Sequence, residues 1–406
     1  MTYTPPKEIL ERYASVLVDF ALGGGAGVQP GEVVRVASSE SAKPLYVELQ
    51  KAVWRAGGHV IGAYQPDDDR SFNLSRDFYE AATPDQVSFF PGSYMRGLVD
   101  EMDHQVSVIA DSDPHALDGV DPSRIMRRGE AMRPMLDWRG EKENAGNFTW
   151  TLGLYGTPAM AAEAKMSEQE YWDQIIHACF LDSADPVARW REVGQRLDET
   201  RARLDELDIE RVHVTGEDVD LWVALGERRR WLGGRGRNIP SFELFTSPDW
   251  RGTEGWIYCN QPLYRYGNLV RGIRLTFTAG RVSEASAESN ERVLREMIAT
   301  EGADRIGEFS LTDRRFSRIT RFMAHTLYDE NVGGSFGNTH IAVGRSYQDA
   351  YDGDPSQVTD GQWEELGFNN SSVHTDIVST TDRLVTATLR GGEERIIYEG
   401  GEFQLD

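Results

Sequence analysis

VVRVASSESAKPLYVELQKAVWRAGGHVIGAY, residues 33–64, carries the pattern that decides the fold. Residues 33–37 and 59–64 are short β-rich runs and read as strands, while residues 42–56 between them read as a helix. Strands separated by helices imply a sheet that is largely parallel and covered on both faces. Working outward, residues 6–21 spell an amphipathic helix, with Ile9, Tyr13, Val16, Leu17 and Phe20 on one face and Pro5 suited to its first turn. The GGGAG run at 23–27 ends it. That run lacks the GK[ST] of a phosphate loop and does not follow a strand, so it reads as a flexible turn. Residues 106–110 and 149–155 are further strands, and helices dominate from about residue 158 to 207, the second covering 187–207.

Beyond residue 207 the texture changes. Residues 211–215 and 221–225 read as strands that the charged turn at 216–220 can join as a hairpin. Short β runs follow at 264–266, 274–277, 309–311, 340–343 and 373–378, with one helix at 289–300. The expected fold is α/β in two domains. Residues 1–207 form an N-terminal α/β domain with a largely parallel sheet, and residues 208–406 a C-terminal mixed α/β domain.

Composition narrows the function. A chain of 406 residues suits two or three domains, and 39% hydrophobic residues with 10 Trp supply ample core volume. The formal net charge of -23 repels phosphate backbones, and no local basic patch offsets it, so nucleic acid is not expected as a partner. The acidity suits either a self-repelling soluble surface or attraction of a cationic substrate such as a free amino terminus. No apolar run approaches the roughly 18 residues of a membrane helix. Glu8, Glu11 and Asp19 interrupt any signal-like segment. Cys179 and Cys259 are too few for a disulfide framework and too far apart for a CxxC site, which leads to the expectation of a reducing cytoplasm.

Candidate chemistry concentrates late in the chain. In SSVHTDIVST, strand alternation projects His374 and Asp376 from the same face, a compact N/O pair suited to a divalent cation. His340 opens another β run, and Tyr347 follows seven residues later. Glu308 in IGEFSL is a carboxylate among apolar residues. Burying it calls for a metal or a basic partner such as Arg314 or Arg318. Glu243 in NIPSFELFTSP has a similar setting, and Glu330 lies in LYDEN. His59, His104, His115, His177, His213 and His325 stand without a second ligand type at useful spacing and read as surface or structural histidines.

These segments together resemble the thermophilic-type metalloaminopeptidase family, the aminopeptidase T and aminopeptidase S type. Its pattern runs P-x-x-E-x-F-T-x-P, then G-E, then T-L-x-D-E-N, then H-I-A-x-G and a Tyr, then H-x-D. Every part is present in order, at Glu243, Glu308, Glu330, His340, Tyr347, His374 and Asp376. The resemblance implies an aminopeptidase that hydrolyses the N-terminal residue of short peptides with water activated by two divalent ions (Zn, Co, Mn or Mg). It further implies that Glu243, Glu308, Glu330, His340, His374 and Asp376 ligate them, that Glu308 bridges the two, and that Tyr347 acts beside them. A homodimer with enclosed sites is also implied. One departure is the Gly-rich stretch 332–339, longer than the link expected in the family, which would lie beside the metals and at the rim of the site.

Relatives of the same fold include a metal-dependent hydrolase that removes the amino group of a nitroaromatic acid, and a single-iron dioxygenase that opens dihydroxypyridines. The dioxygenase needs two His and one carboxylate, whereas three further carboxylates persist here and favour two ions. An acidic dimeric binding protein with a relic site is the non-enzyme reading, and the intact ligand chemistry speaks against it.

Overall fold

The computed structural model describes residues 3–68, 71–234 and 236–405. β1 (Val33–Ser39), helix α2 (Lys43–Arg55) and β2 (His59–Gln65) form the expected strand–helix–strand unit, and β1 pairs with β2 in parallel. β3 (His104–Ile109) and β4 (Thr149–Leu154) extend the sheet, also in parallel. A fifth strand, β5 (Asn238–Ile239), comes from beyond residue 207 and pairs in parallel with β4.

Helix α1 (Lys7–Val16) packs on α2 and continues as a π-helical turn over Leu17–Ala21. The widened turn ends in the glycine-rich bend, so Ala21 and Gly24 reach the cavity described below. Tyr13, Leu17, Leu45 and Leu49 are buried in the core beneath the parallel sheet, with Ile239, Phe242, Leu327 and Tyr328 from the C-terminal half.

Two antiparallel sheets dominate the rest. Eight strands run in the order Arg281–Ser286, Ile273–Thr278, Glu254–Cys259, Val219–Ala224, Ile209–Gly216, Leu384–Leu389, Glu394–Glu399, Glu402–Phe403. The expected hairpin closes with Gly216 opposite Val219. The smaller sheet orders β9 (His374–Ser379), β8 (Asn338–Gly344), β7 (Ile306–Thr312) and β6 (Glu243–Thr246) side by side. Alternation gives this sheet one apolar face. Leu244, Phe309, Leu311, Ile341, Val343 and Ile377 enter the core shared with the eight-stranded sheet. The opposite face is where the candidate ligands lie. No helix among the described residues is long and apolar enough to cross a membrane.

Candidate metal centre

Residues directly opposite in an antiparallel pair project from the same face, so the register of the small sheet assembles the site. Glu243 lies opposite Thr312, Phe245 opposite Ser310, Ser310 opposite His340, and Glu308 opposite Ala342. Ala342 in turn lies opposite Asp376, and Gly344 opposite His374. The small side chain of Ala342 leaves room between Glu308 and Asp376. Gly344 has φ +106, and a Cβ there would collide with the carbonyl of Val373, so the glycine of H-I-A-x-G is a backbone requirement.

The side chains converge accordingly. His340 Nε2 stands 3.1 Å from Oε1 of Glu308 and 3.2 Å from Oε2 of Glu243. His374 Nε2 stands 3.5 Å from the other oxygen of Glu308 and 3.5 Å from Oδ1 of Asp376. Two donor groups result, Glu243–Glu308–His340 and Glu308–His374–Asp376, each tight enough to hold one ion, and Glu308 belongs to both. Glu330 falls in neither group but lines the same cavity, where it accepts a hydrogen bond from Asn238 Nδ2 at 2.8 Å. The Tyr347 ring meets the His374 imidazole edge-on at 4.9 Å between centroids.

Supporting groups were not visible beforehand. Ser310 Oγ donates to Glu243 Oε2 at 2.9 Å, and Ser241 Oγ to its Oε1 at 3.3 Å. His374 Nδ1 donates to the backbone carbonyl of Arg345 at 2.7 Å, which turns Nε2 toward the carboxylates. Asp329, inside T-L-x-D-E-N, does not join the cluster. It accepts the backbone N–H groups of Met323 and His325 and so shapes the loop that delivers Glu330.

Electrostatics mark the site as built for cations. Glu243, Glu308, Glu330 and His340 are all at most 5% exposed. Burial first, then the charges of Glu308 and Asp376, push the Glu243 carboxyl up to about 7 against the pull of His340. Burial and the charges of Asp376, Glu243 and Glu308 hold Glu330 well above the carboxylate range. Burial also pulls the two imidazoles down, but their carboxylate neighbours prevail and hold His340 at about 9 and His374 at about 8. The Asp376 carboxyl is pushed up by burial, yet His374 outweighs this and keeps it well below its ordinary value.

Among the described residues no Lys or Arg forms an ion pair with these four carboxylates; Glu243, Glu308 and Asp376 face the two imidazoles, and Glu330 accepts from the Asn238 and Asn331 amides. Arg314 pairs instead with Glu402, and Arg318 reaches His177 and Asp182, so the expected alternative of an arginine partner for Glu308 does not occur. Four carboxylates carry four negative charges when ionised, which two divalent ions would neutralise with both imidazoles uncharged. Hard oxygen donors with two imidazoles and no thiolate fit Zn, Co, Mn or Mg.

A cavity of about 270 Å³ opens onto this cluster, walled by Phe148, Trp150, Leu232 and Phe245. Arg237 crosses one wall, paired with Glu143 at 2.6 Å and Asp349 at 2.8 Å. None of the residues 332–339 lines the cavity, contrary to expectation. That loop packs away from it, where the Tyr398 hydroxyl donates to the Phe336 and Thr312 carbonyls.

Comparison with known proteins places the chain in a family. The chain is 27% identical to the aminopeptidase PepS of Streptococcus thermophilus over 98% of both chains. It is 29% identical to the aminopeptidase T of Thermus thermophilus, covering 91% of this chain and 92% of the relative. The solved structure of wild-type AmpT from Thermus thermophilus superimposes with a TM-score of 0.79 at 26% identity, over 98% of this chain and 99% of that one. The family described as thermophilic metalloprotease (M29) matches residues 6–403, and the chain therefore belongs to that family of metal-dependent peptide hydrolases.

Proposed function

We propose that this chain is an aminopeptidase that removes the N-terminal residue of short peptides, using two divalent ions held by Glu243, Glu308, Glu330, His340, His374 and Asp376. The observation that carries the reading is the Glu308 carboxylate, whose two oxygens face the two imidazoles from within two separate donor groups. A carboxylate shared between two donor groups suits a pair of ions held close together.

When bound, the ions supply a Lewis acid for the scissile carbonyl and lower the pKa of a coordinated water from about 15.7 to about 7. The protein's share is to place and desolvate. Ser310 and Ser241 hold Glu243 in position, and Asn238 holds Glu330 against its neighbours. The aromatic walls exclude water around the reacting groups, and Tyr347 packs on His374 where a substrate would lie. The carboxylate-rich interior favours a cationic amino terminus entering first.

Residues 1–207 and 208–406 are read as two domains, with the cavity lined from both sides of that boundary. A homodimer that narrows access belongs to the same reading, and light scattering at working concentration tests it. Cytoplasmic placement fits two buried free thiols, each pushed up to about 12 by burial and hence unreactive. Hydrolysis of aminoacyl-anilides by metal-stripped protein, re-supplied with individual ions, tests the activity. No turnover with any ion would refute it.

A further inference from the structure

A second cavity of about 260 Å³ shares Glu143, Trp150, Tyr347, Asp349 and His374 with the first, so the two meet at the candidate metal centre. Its character is different. Three guanidinium groups line it, those of Arg139, Arg265 and Arg345. Its two shared carboxylates, Glu143 and Asp349, are already engaged by Arg237.

The three arginines come from separate parts of the chain. Arg139 sits on helix α3 (Arg133–Asn144), Arg265 ends the short strand Leu263–Arg265, and Arg345 directly follows β8. Arg345 pairs with Asp137 at 3.0 Å, also on α3. Arg265 donates to the backbone carbonyl of His374 at 3.0 Å and forms no ion pair among the described residues. Arg139 stacks over Phe148 at 5.1 Å and likewise forms no ion pair among the described residues, and its buried Nε has no hydrogen-bond partner. Burial lowers the Arg139 guanidinium, and the nearby charges of Arg35 and Arg345 lower it further against Glu143. Three cations face this cavity, and its two lining carboxylates are engaged by Arg237. Asp137, which answers Arg345, lies outside the lining, so the pocket is net positive inside a strongly acidic protein. That arrangement is costly unless an anion completes it.

We infer that this pocket receives the free C-terminal carboxylate of a short peptide whose amino terminus lies at the metal centre. The inference rests on the aminopeptidase reading and deepens it, since it names the feature that makes a substrate short. A guanidinium pairs with a carboxylate through two parallel N–H donors, and Arg139 and Arg345 present such forks where the chain would end. A longer peptide or a folded protein would bring an uncharged backbone to the same place and leave the cations unanswered.

The test compares peptides of two to five residues, each as the free acid and as the C-terminal amide, on wild-type protein and on Arg139→Gln and Arg345→Gln. For the best-fitting length, amidation should raise KM about tenfold or more in the wild type with kcat nearly unchanged, the effect of a lost charged hydrogen bond. In either variant the acid-to-amide ratio should fall toward one. Binding of N-acetylated peptides, acid against amide, to the metal-free protein by calorimetry supplies a readout independent of turnover. Equal treatment of acid and amide at every length in the wild type overturns the pocket and leaves the aminopeptidase reading standing. Carboxylate-dependent binding without turnover on any peptide upholds the pocket and overturns that reading instead.

Discussion

His374 donates its Nδ1–H to the backbone carbonyl of Arg345 at 2.7 Å. A carbonyl can only accept, so the proton sits on Nδ1 and the lone pair of the neutral ring sits on Nε2, facing Glu308 and Asp376. One main-chain atom thereby sets the tautomer a metal ligand needs.

His374→Ala and Asp376→Ala are each expected to retain less than about a tenth of wild-type activity, because both remove a donor from the same group. The fold should persist, since the apolar face of the sheet carrying these residues packs independently of them. Circular dichroism and anilide hydrolysis measure the two halves. A well-folded variant with near-normal turnover would remove that residue from the site.

Metal loading and metal-free stability should respond to pH in opposite directions. His340 and His374 are held at about 9 and about 8, above an ordinary imidazole near 6.5. Groups with raised folded pKa contribute stability that is full below the unfolded value and lost as pH rises through the folded value. Glu243, pushed up to about 7, acts in the same direction. Metal-free protein should therefore lose thermal stability between about pH 6.5 and pH 9. Over that window metal binding should tighten, because it displaces the imidazole protons. Melting curves and metal titrations at several pH values decide it; metal-free protein that gains stability across the window contradicts the assignment.

Phe242 is fully buried, stacked on Trp190 at 5.4 Å, between Ser241 and Glu243. Phe242→Ala should cost about 3–5 kcal/mol by leaving a cavity. It should also weaken metal binding, since the neighbouring Glu243 loses its fixed backbone. Denaturant unfolding of the metal-free protein measures the first effect, and metal titration the second. A change below about 1 kcal/mol would place Phe242 outside the core that supports Glu243.

The glycine-rich loop makes a contrasting case. Gly337 has φ +62, and a side chain there would collide with the Tyr398 hydroxyl and the Thr312 carbonyl. Gly337→Val should destabilise the fold by about 1–3 kcal/mol while folded protein retains its metal. Loss of metal without loss of stability would return this loop to the site.

Much of this architecture was legible beforehand because five of the six candidate donors, all but Glu330, lie on strands. A period of two forces His374 and Asp376 onto one face whatever the rest of the chain does. The register that sets Ala342 between Glu308 and Asp376 was not legible, because pairing depends on residues distant in sequence. The strand Arg281–Ser286 escaped notice for a different reason. It is a largely exposed edge with no apolar alternation. β6 is buried on both faces, with Leu244 and Phe245 entering different apolar clusters, so polar and apolar residues do not alternate along it. The Arg345 carbonyl has no sequence signature at all, since every residue carries one. The three-arginine pocket is likewise a product of tertiary folding, assembled from positions 139, 265 and 345.

Elemental analysis of metal-saturated protein tests the proposed binuclear centre most directly. Two overlapping donor groups joined by Glu308 predict about two divalent ions per chain, falling to one or none in Glu308→Ala. A saturated stoichiometry of one ion per chain in the wild type would contradict it.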